Sequence, residues 1–193
     1  MKRVILVLSL VFTLCAIACA EDAYTYPTAF SCVIEEEMIK EGIAKEKRSF
    51  EYYQLGNMYR YDAFGIAYIL DDAGKMLYNL YISIDVYTES KTSLSAKDVL
   101  NHFEIDFLNP SYNEVEDTGK REVINGYECK VVKVIDQGDK TTKLIWQAPA
   151  LGDMGLKYEV SNSDSKTIKI VRELNIDFSD QCLTCQKTGR RMK

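Results

Sequence analysis

Between Phe30 and Phe178 the chain runs as short stretches in which apolar residues fall at every second position, interrupted once by a helical spacing. That alternation limits the fold more than any other feature. A strand turns successive side chains to opposite faces, so each stretch carries one apolar face that has to be buried. About ten such stretches must cover one another or pack on the single helix. A mainly β (α+β) chain, with a single curved antiparallel sheet forming a half-open β-barrel around one helix, meets that need. No longer-period repeat and no low-complexity linker divides the pattern, which points to one domain.

The ends read differently. Lys2 and Arg3 precede an apolar run from Val4 to Ile17, and Ala18-Cys19-Ala20 supplies small residues before Glu21, so residues 1–20 are expected to be a signal peptide. Ala16-Ile17-Ala18-Cys19 resembles a lipidation box, but Ala16 stands where a large aliphatic residue is required. No later stretch approaches the ~20 apolar residues that span a bilayer, so no transmembrane anchor is expected. The division that follows is a leader over 1–20, one β-rich domain over 21–186, and a basic tail over 187–193. The expected location is secreted or in the lumen of an exported compartment: extracellular, periplasm or secretory pathway. The formal charge of −5 becomes −7 once Lys2 and Arg3 leave, which repels phosphate backbones and argues against a nucleic-acid partner.

Of the six cysteines, Cys15 and Cys19 fall in the leader, leaving Cys32, Cys129, Cys182 and Cys185. An even count in an exported chain predicts disulfides, although the connectivity stays open. Cys182-Leu183-Thr184-Cys185 also admits a redox motif, but that chemistry wants a helix N-terminus rather than the end of a strand. A zinc site would have only His102 to add to the cysteines, so no metal is expected.

Two strands, Ile66–Leu70 and Met76–Tyr87, flank the Asp71-Asp-Ala-Gly74 turn. Met76, Tyr78, Leu80, Ile82, Ile84 and Val86 share one phase, expected to face the concavity, while Asn79, Tyr81, Ser83 and Asp85 are expected to meet water. Ser95 and Asp98 have capping-box spacing, and Val99, Leu100, Phe103 and Phe107 recur at helical intervals, which predicts a helix over 95–107. Asn125-Gly126 predicts a tight hairpin between Lys120–Val123 and Tyr127–Asp136. In the last strand, Lys166–Phe178, Arg172 shares a phase with Ile168, Ile170, Leu174, Ile176 and Phe178; it either snorkels to a rim or meets an anion inside.

Chemistry has little to stand on. Glu35 and Glu37 point one way on a strand and Glu36 the other, so that run reads mainly as a solvated face. The chain has one histidine, no nucleophile elbow, no phosphate loop and no calcium-loop spacing. No catalytic residue and no cofactor is expected, and the chain reads as a binding protein rather than an enzyme.

Three segments carry a family resemblance: Ser49-Phe-Glu-Tyr-Tyr-Gln-Leu55, Gly56-Asn-Met-Tyr-Arg-Tyr-Asp62 and Asp71-Asp-Ala-Gly-Lys-Met-Leu-Tyr78. With Thr118–Cys129, Lys143–Gln147 and Gly155–Tyr158 they resemble the periplasmic lipoprotein-carrier superfamily (LolA-like) over roughly residues 30–178. The resemblance implies a concave apolar face, lidded by helix, that holds acyl chains. The chain departs from the family in having only Glu21–Thr28 where an amphipathic helix usually precedes the first strand. On this reading Arg60, Tyr78, Leu80, Ile82, Leu100, Phe103 and Arg172 are candidate ligand-binding residues for a lipid or other apolar small molecule, with Arg60 or Arg172 meeting a head group. The alternative is a disulfide-stapled secreted module that binds a protein partner, its concavity filled by its own side chains.

Overall fold

The computed structural model describes residues 26–109, 115–135, 141–176 and 190–191. The leader over 1–20, Cys182, Cys185 and Phe178 lie outside the described residues. Tight turns lay out the strands in order: β1 (Ala29–Lys40), β2 (Ile43–Leu55), β3 (Met58–Ala63), β4 (Ile66–Asp71), β5 (Met76–Tyr81) and β6 (Val86–Lys91). After the helix α1 (Ala96–His102) come β7 (Glu116–Ile124), β8 (Tyr127–Ile135), β9 (Thr142–Ala148), β10 (Met154–Ser161) and β11 (Ser165–Asn175). A two-residue β12, Arg190–Arg191, pairs in parallel with β6. Asn125 (φ 52°) and Gly126 (φ 83°) give the β7–β8 hairpin the two positive φ angles that a two-residue primed turn needs.

One sheet holds all of them, in the order β12-β6-β5-β4-β3-β2-β1-β11-β10-β9-β8-β7. The pairing of β1 with β11 brings the last long strand back beside the first, so two meanders join at the middle of the sheet. β7 and β6–β12 remain as edges, and the barrel is open. The sheet is strongly bent, since Asn125 Nδ2 donates to the Val171 carbonyl at 3.0 Å although β9 and β10 separate β8 from β11. Directly paired residues share a face, so Val132, Ile145, Tyr158, Lys169 and Glu36 form a row across the concave side. Phe30, Ile34, Tyr52, Phe107, Leu108 and Val171 are fully buried against it. The half-open barrel around one helix is therefore the observed architecture.

Three sequence expectations change in detail. The helix expected over 95–107 is broken: α1 ends at His102, Glu104 takes a left-handed φ of 52°, and a separate 3-10 turn covers Asp106–Leu108. The break turns Phe107 into the concavity, where its ring stacks on Tyr158 at 5.6 Å. The strand expected over Met76–Tyr87 is a hairpin, with Ile82–Ile84 in a 3-10 turn and Asp85 left-handed at its tip. Ile82 and Ile84 are consequently 49% and 62% exposed and do not face the concavity. In β11 the buried phase is Lys169 and Val171, because Val33 pairs with Arg172 and Ile34 with Val171. Arg172, with Ile168 and Ile170, therefore lies on the convex face.

The 3-10 turn approaches β10 at Gly155, where a Cβ would stand 2.1 Å from the Phe107 carbonyl oxygen. Only glycine lets the two backbones come that close. Gly155→Ala is expected to push the turn off the sheet and to cost about 1–3 kcal/mol, the usual range for overpacking. Urea denaturation of the two proteins measures it.

Candidate ligand cavity

Ser95 caps α1 as its spacing predicts: the Asp98 amide donates to Ser95 Oγ (3.2 Å) and the Ser95 amide to Asp98 Oδ2 (2.8 Å). The helix turns Val99, Leu100 and Phe103 toward the sheet. Leu100 is buried in the core, while Phe103 stacks on Tyr61 at 4.1 Å and leans on Tyr68 at 5.0 Å. Beyond Phe103 the helix and the sheet stand apart. A cavity of about 350 Å³ opens between them, walled by Tyr68, Leu70, Leu77 and Asn79 on β4 and β5. Val99 and Phe103 form its helical wall, and Leu94, Asp98 and His102 complete it. The walls are apolar apart from a few groups, as a small-molecule site requires.

Asn79 supplies the polar exception. Its Nδ2 donates to Thr88 Oγ1 at 3.5 Å, whereas Oδ1 is buried and has no hydrogen-bond partner among the described residues. Asp98 is committed to Ser95, whose hydroxyl also donates to Oδ2 (2.7 Å), and these bonds hold its carboxyl below the usual range.

The far end of the helical segment is tied down by a charge. Lys169 Nζ, almost wholly buried, donates to the Glu104 carbonyl at 3.0 Å and to its carboxylate at 3.2 Å. The same ammonium sits 3.1 Å from the Glu36 carboxylate. Glu36 and Lys169 are thus both concave-side groups, in phase with Ile34 and Val171. Glu36 is 12% exposed in its side chain, so it is not part of a solvated face.

The candidate residues divide. Phe103 lines the cavity, whereas Leu100 is buried in the core and is not among the lining residues. Tyr78 pairs with Ile69, and Leu80 with Ala67, whereas Asn79 pairs with Tyr68 and Leu77 with Leu70; Tyr78 and Leu80 therefore lie on the opposite face of the sheet. Arg60 pairs with Ile69 on that same opposite face. It is 6% exposed, ion-paired with Asp62, and lies 5.2 Å over the Tyr53 ring. Ile82 is in the exposed turn, and Arg172 Nε meets Glu35 at 3.1 Å outside the barrel. Neither arginine reaches the cavity. Sequence reasoning missed Leu77 and Asn79 because Met76-Tyr78-Leu80 is the more apolar phase of β5. Both faces are covered there, however: Ala67, Ile69 and Leu80 are buried on one and Leu70 on the other. The unbroken apolar run Ile66–Leu70 was the available signal.

A groove of about 500 Å³ on the convex side is lined by Glu35, Glu37, Lys47, Lys157, Glu159 and Arg172 among others. Its charges pair with one another, Arg172 with Glu35 and Lys157 with Glu159 at 3.4 Å, and Ile168 and Ile170 complete the lining. Among the described residues, no group of three or more His, Cys, Asp or Glu could hold a metal ion.

The cysteine expectation is corrected in part. Cys32 and Cys129 are buried free thiols, four strands apart in the sheet. At roughly 4.8 Å per strand they are far beyond the reach of a shared bridge. Burial pushes the Cys32 thiol up to about 12 and the Cys129 thiol up to about 11.

No family model matches the sequence, and no curated protein does either. Solved structures are similar. PNGF-II superposes with a TM-score of 0.41 at 13% identity, over 79% of this chain and 30% of its own, so the present chain spans under a third of its length. A LolA superfamily protein from Nitrosomonas europaea gives a TM-score of 0.35 at 12% identity over 86% of this chain and 94% of its own. The lipoprotein LppX of Mycobacterium tuberculosis gives 0.37 at 10% identity over 79% of this chain and 89% of its own. The superfamily that the sequence resembles thus appears among the similar structures.

Two predictions arise here. Lys169→Met strands Glu36 inside the concavity and is expected to cost about 3 kcal/mol, the low end for breaking a buried pair because Glu104 can turn to water. Adding Glu36→Gln should recover much of that loss in urea titrations. The thiols predict alkaline lability. Each folds neutral with its pKa raised from 9.0, so its contribution is intact below pH 9 and is lost as pH rises toward 11–12. At pH 10.5 the loss is roughly 2 kcal/mol per thiol. Urea midpoints at pH 8 and pH 10.5 measure it, and Cys32→Ala should shrink the difference.

Proposed function

We propose that the mature domain, residues 21–186, is an exported binding protein rather than an enzyme, and that it holds an apolar acyl-chain ligand between α1 and the β4–β5 hairpin. The observation that carries this reading is the apolar cavity of about 350 Å³ beneath Val99 and Phe103. That volume falls at the low end of small-molecule sites, enough for one chain and not for a bundle of them. Each buried methylene contributes about 0.8 kcal/mol, so eight or more carbons offset the lower part of the 4–15 kcal/mol association cost. Among the described residues no helix is long and apolar enough to cross a membrane. Secretion or delivery to a lumenal compartment rests on the leader expected at residues 1–20.

The test is fluorescence titration of delipidated protein with N-phenyl-1-naphthylamine, a neutral apolar probe. Saturable binding is expected, competed by long-chain lipids. Leu77→Trp, which fills the cavity from the sheet side, should weaken the probe at least tenfold while leaving the circular dichroism spectrum unchanged. If the wild-type protein binds no probe, or if Leu77→Trp leaves its affinity unchanged, the cavity is not the site. The filled interaction module with a protein partner would then be the better account, since Phe107 and Leu108 already fill the other end of the concavity.

A further inference from the structure

We propose that two adjacent hairpin tips at one end of the barrel, Phe64-Gly65 and Ile82–Asp85, dock the protein on the surface of a lipid bilayer. This rests on the binding function proposed above and names where its ligand is collected or released. Three observations lead to it.

The first is what the tips carry. Phe64 is 78% exposed, and Ile82 and Ile84 are exposed with it. The Ile82 amide donates to the Gly65 carbonyl at 3.0 Å, so the two turns stand side by side. Folding does not call for these residues. Phe64 (φ 53°) and Gly65 (φ 78°) form the same left-handed pair as Asn125 and Gly126, a turn that favours asparagine at its first position. A bulky ring is strained there. Its contacts, with the Phe50 ring at 5.8 Å and the Arg48 guanidinium at 5.7 Å, leave most of it in water. At the other end of the same strands the turns are Gly56-Asn57 and Asp72-Ala-Gly-Lys75, which carry no large apolar side chain. The apolar tips are thus a property of one end.

The second is their place beside the cavity. Phe64-Gly65 leads into β4 and Ile82 follows β5, the two strands whose Tyr68, Leu70, Leu77 and Asn79 wall the cavity. Asn79 and Ile82 are three residues apart, roughly 10 Å along a strand. An acyl-chain ligand resides in membranes rather than in water, and a bilayer met at these tips lies within one strand length of the cavity.

The third is size and charge. Three side chains present far less than the ~800 Å² per partner of a stable protein interface, so a second copy of the chain is a poor occupant. Insertion into the headgroup boundary needs only side-chain depth and gains from both apolar area and nearby basic residues. β12 pairs Arg190 with Val86 and Arg191 with Tyr87, the first two residues beyond the second tip. Two consecutive arginines therefore stand at its base, against one acidic residue, Asp85, within the two turns. That balance opposes the −5 of the whole chain and suits anionic headgroups.

The experiment is co-sedimentation of the whole mature chain with vesicles of phosphatidylcholine containing one quarter phosphatidylglycerol. The wild-type protein is expected to bind. Phe64→Asn, which restores the favoured turn dipeptide, and Ile84→Ser on the other tip should each weaken binding several-fold, and together at least tenfold. Val123→Ser removes an equally exposed apolar residue at the opposite end of the sheet and should change nothing. Circular dichroism checks the fold of each variant, and the two tips give independent readings should one variant fail to fold. No sedimentation of the wild-type protein, an unchanged affinity in the double variant, or an equal loss in Val123→Ser would overturn the proposal. So would a wild-type dimer, seen by analytical ultracentrifugation, that the tip variants abolish, since a second copy would then occupy the tips. N-phenyl-1-naphthylamine binding in solution should be the same in wild type and double variant. Its absence from the wild-type protein would remove the cavity function separately, whatever the vesicles show.

Discussion

The Lys169 ammonium holds the concave side together. A lysine this deeply buried is tolerated only when paired and hydrogen-bonded, and here one cation serves three elements. It reaches the Glu36 carboxylate on β1, and both the carboxylate and the main-chain carbonyl of Glu104 at the bend after α1. The carbonyl matters most for shape. It belongs to the one residue between α1 and the 3-10 turn whose φ is positive, where the helix stops and the chain swings toward β10. Such a bend leaves main-chain groups without helical partners, and Lys169 supplies the donor that the Glu104 carbonyl lacks. Phe107 can then lie on Tyr158, and the contact at Gly155 closes the backbone approach.

An open barrel has two edges, and both are managed. On β7 the exposed side chains include Glu116, Asp117, Lys120 and Arg121, and the pairing with β8 shifts register between Asp117 and Arg121. Charge and irregularity discourage a second chain from adding there. The other edge, β6, receives the two-residue β12 in parallel. The segment read from the sequence as a basic tail thus contributes Arg190–Arg191 to the sheet.

Turn chemistry and the alternating phase made most strands readable. β4 and β8 match their expected ranges within one residue, because Asp71-Asp-Ala-Gly74 and Asn125-Gly126 fix where the chain reverses. The capping box at Ser95 likewise fixed the start of α1. Side-chain direction was read wrongly where the rule that the more apolar phase faces inward met a sheet covered on both sides. In β5 and β11 that rule chose Tyr78 and Ile170 over Asn79 and Val171. The residues that decide the matter are polar. Glu36 and Lys169 each sit in a buried phase, and neither the buried pairing nor the register that creates it can be read from one strand alone. Arg60 illustrates the same limit: its burial comes with Asp62 and Tyr53 on the face away from the helix, an arrangement of neighbouring strands.

The cavity persists because its two ends are held at different heights. At the Glu104 end, Lys169 and the Phe107–Tyr158 stack draw the chain down onto β10 and β11. At the α1 end, the Phe103 ring lies flat on Tyr61 with 27° between the planes and against Tyr68, so an aromatic layer separates the helix from the sheet. Leu70 on β4 and Leu77 on β5 line the open space together with Val99. Collapse would require Phe103 to leave two aromatic partners, each worth about 0.5–1.5 kcal/mol beyond area burial. An apolar cavity of this kind costs stability in proportion to its volume. The aromatic prop keeps that cost in place.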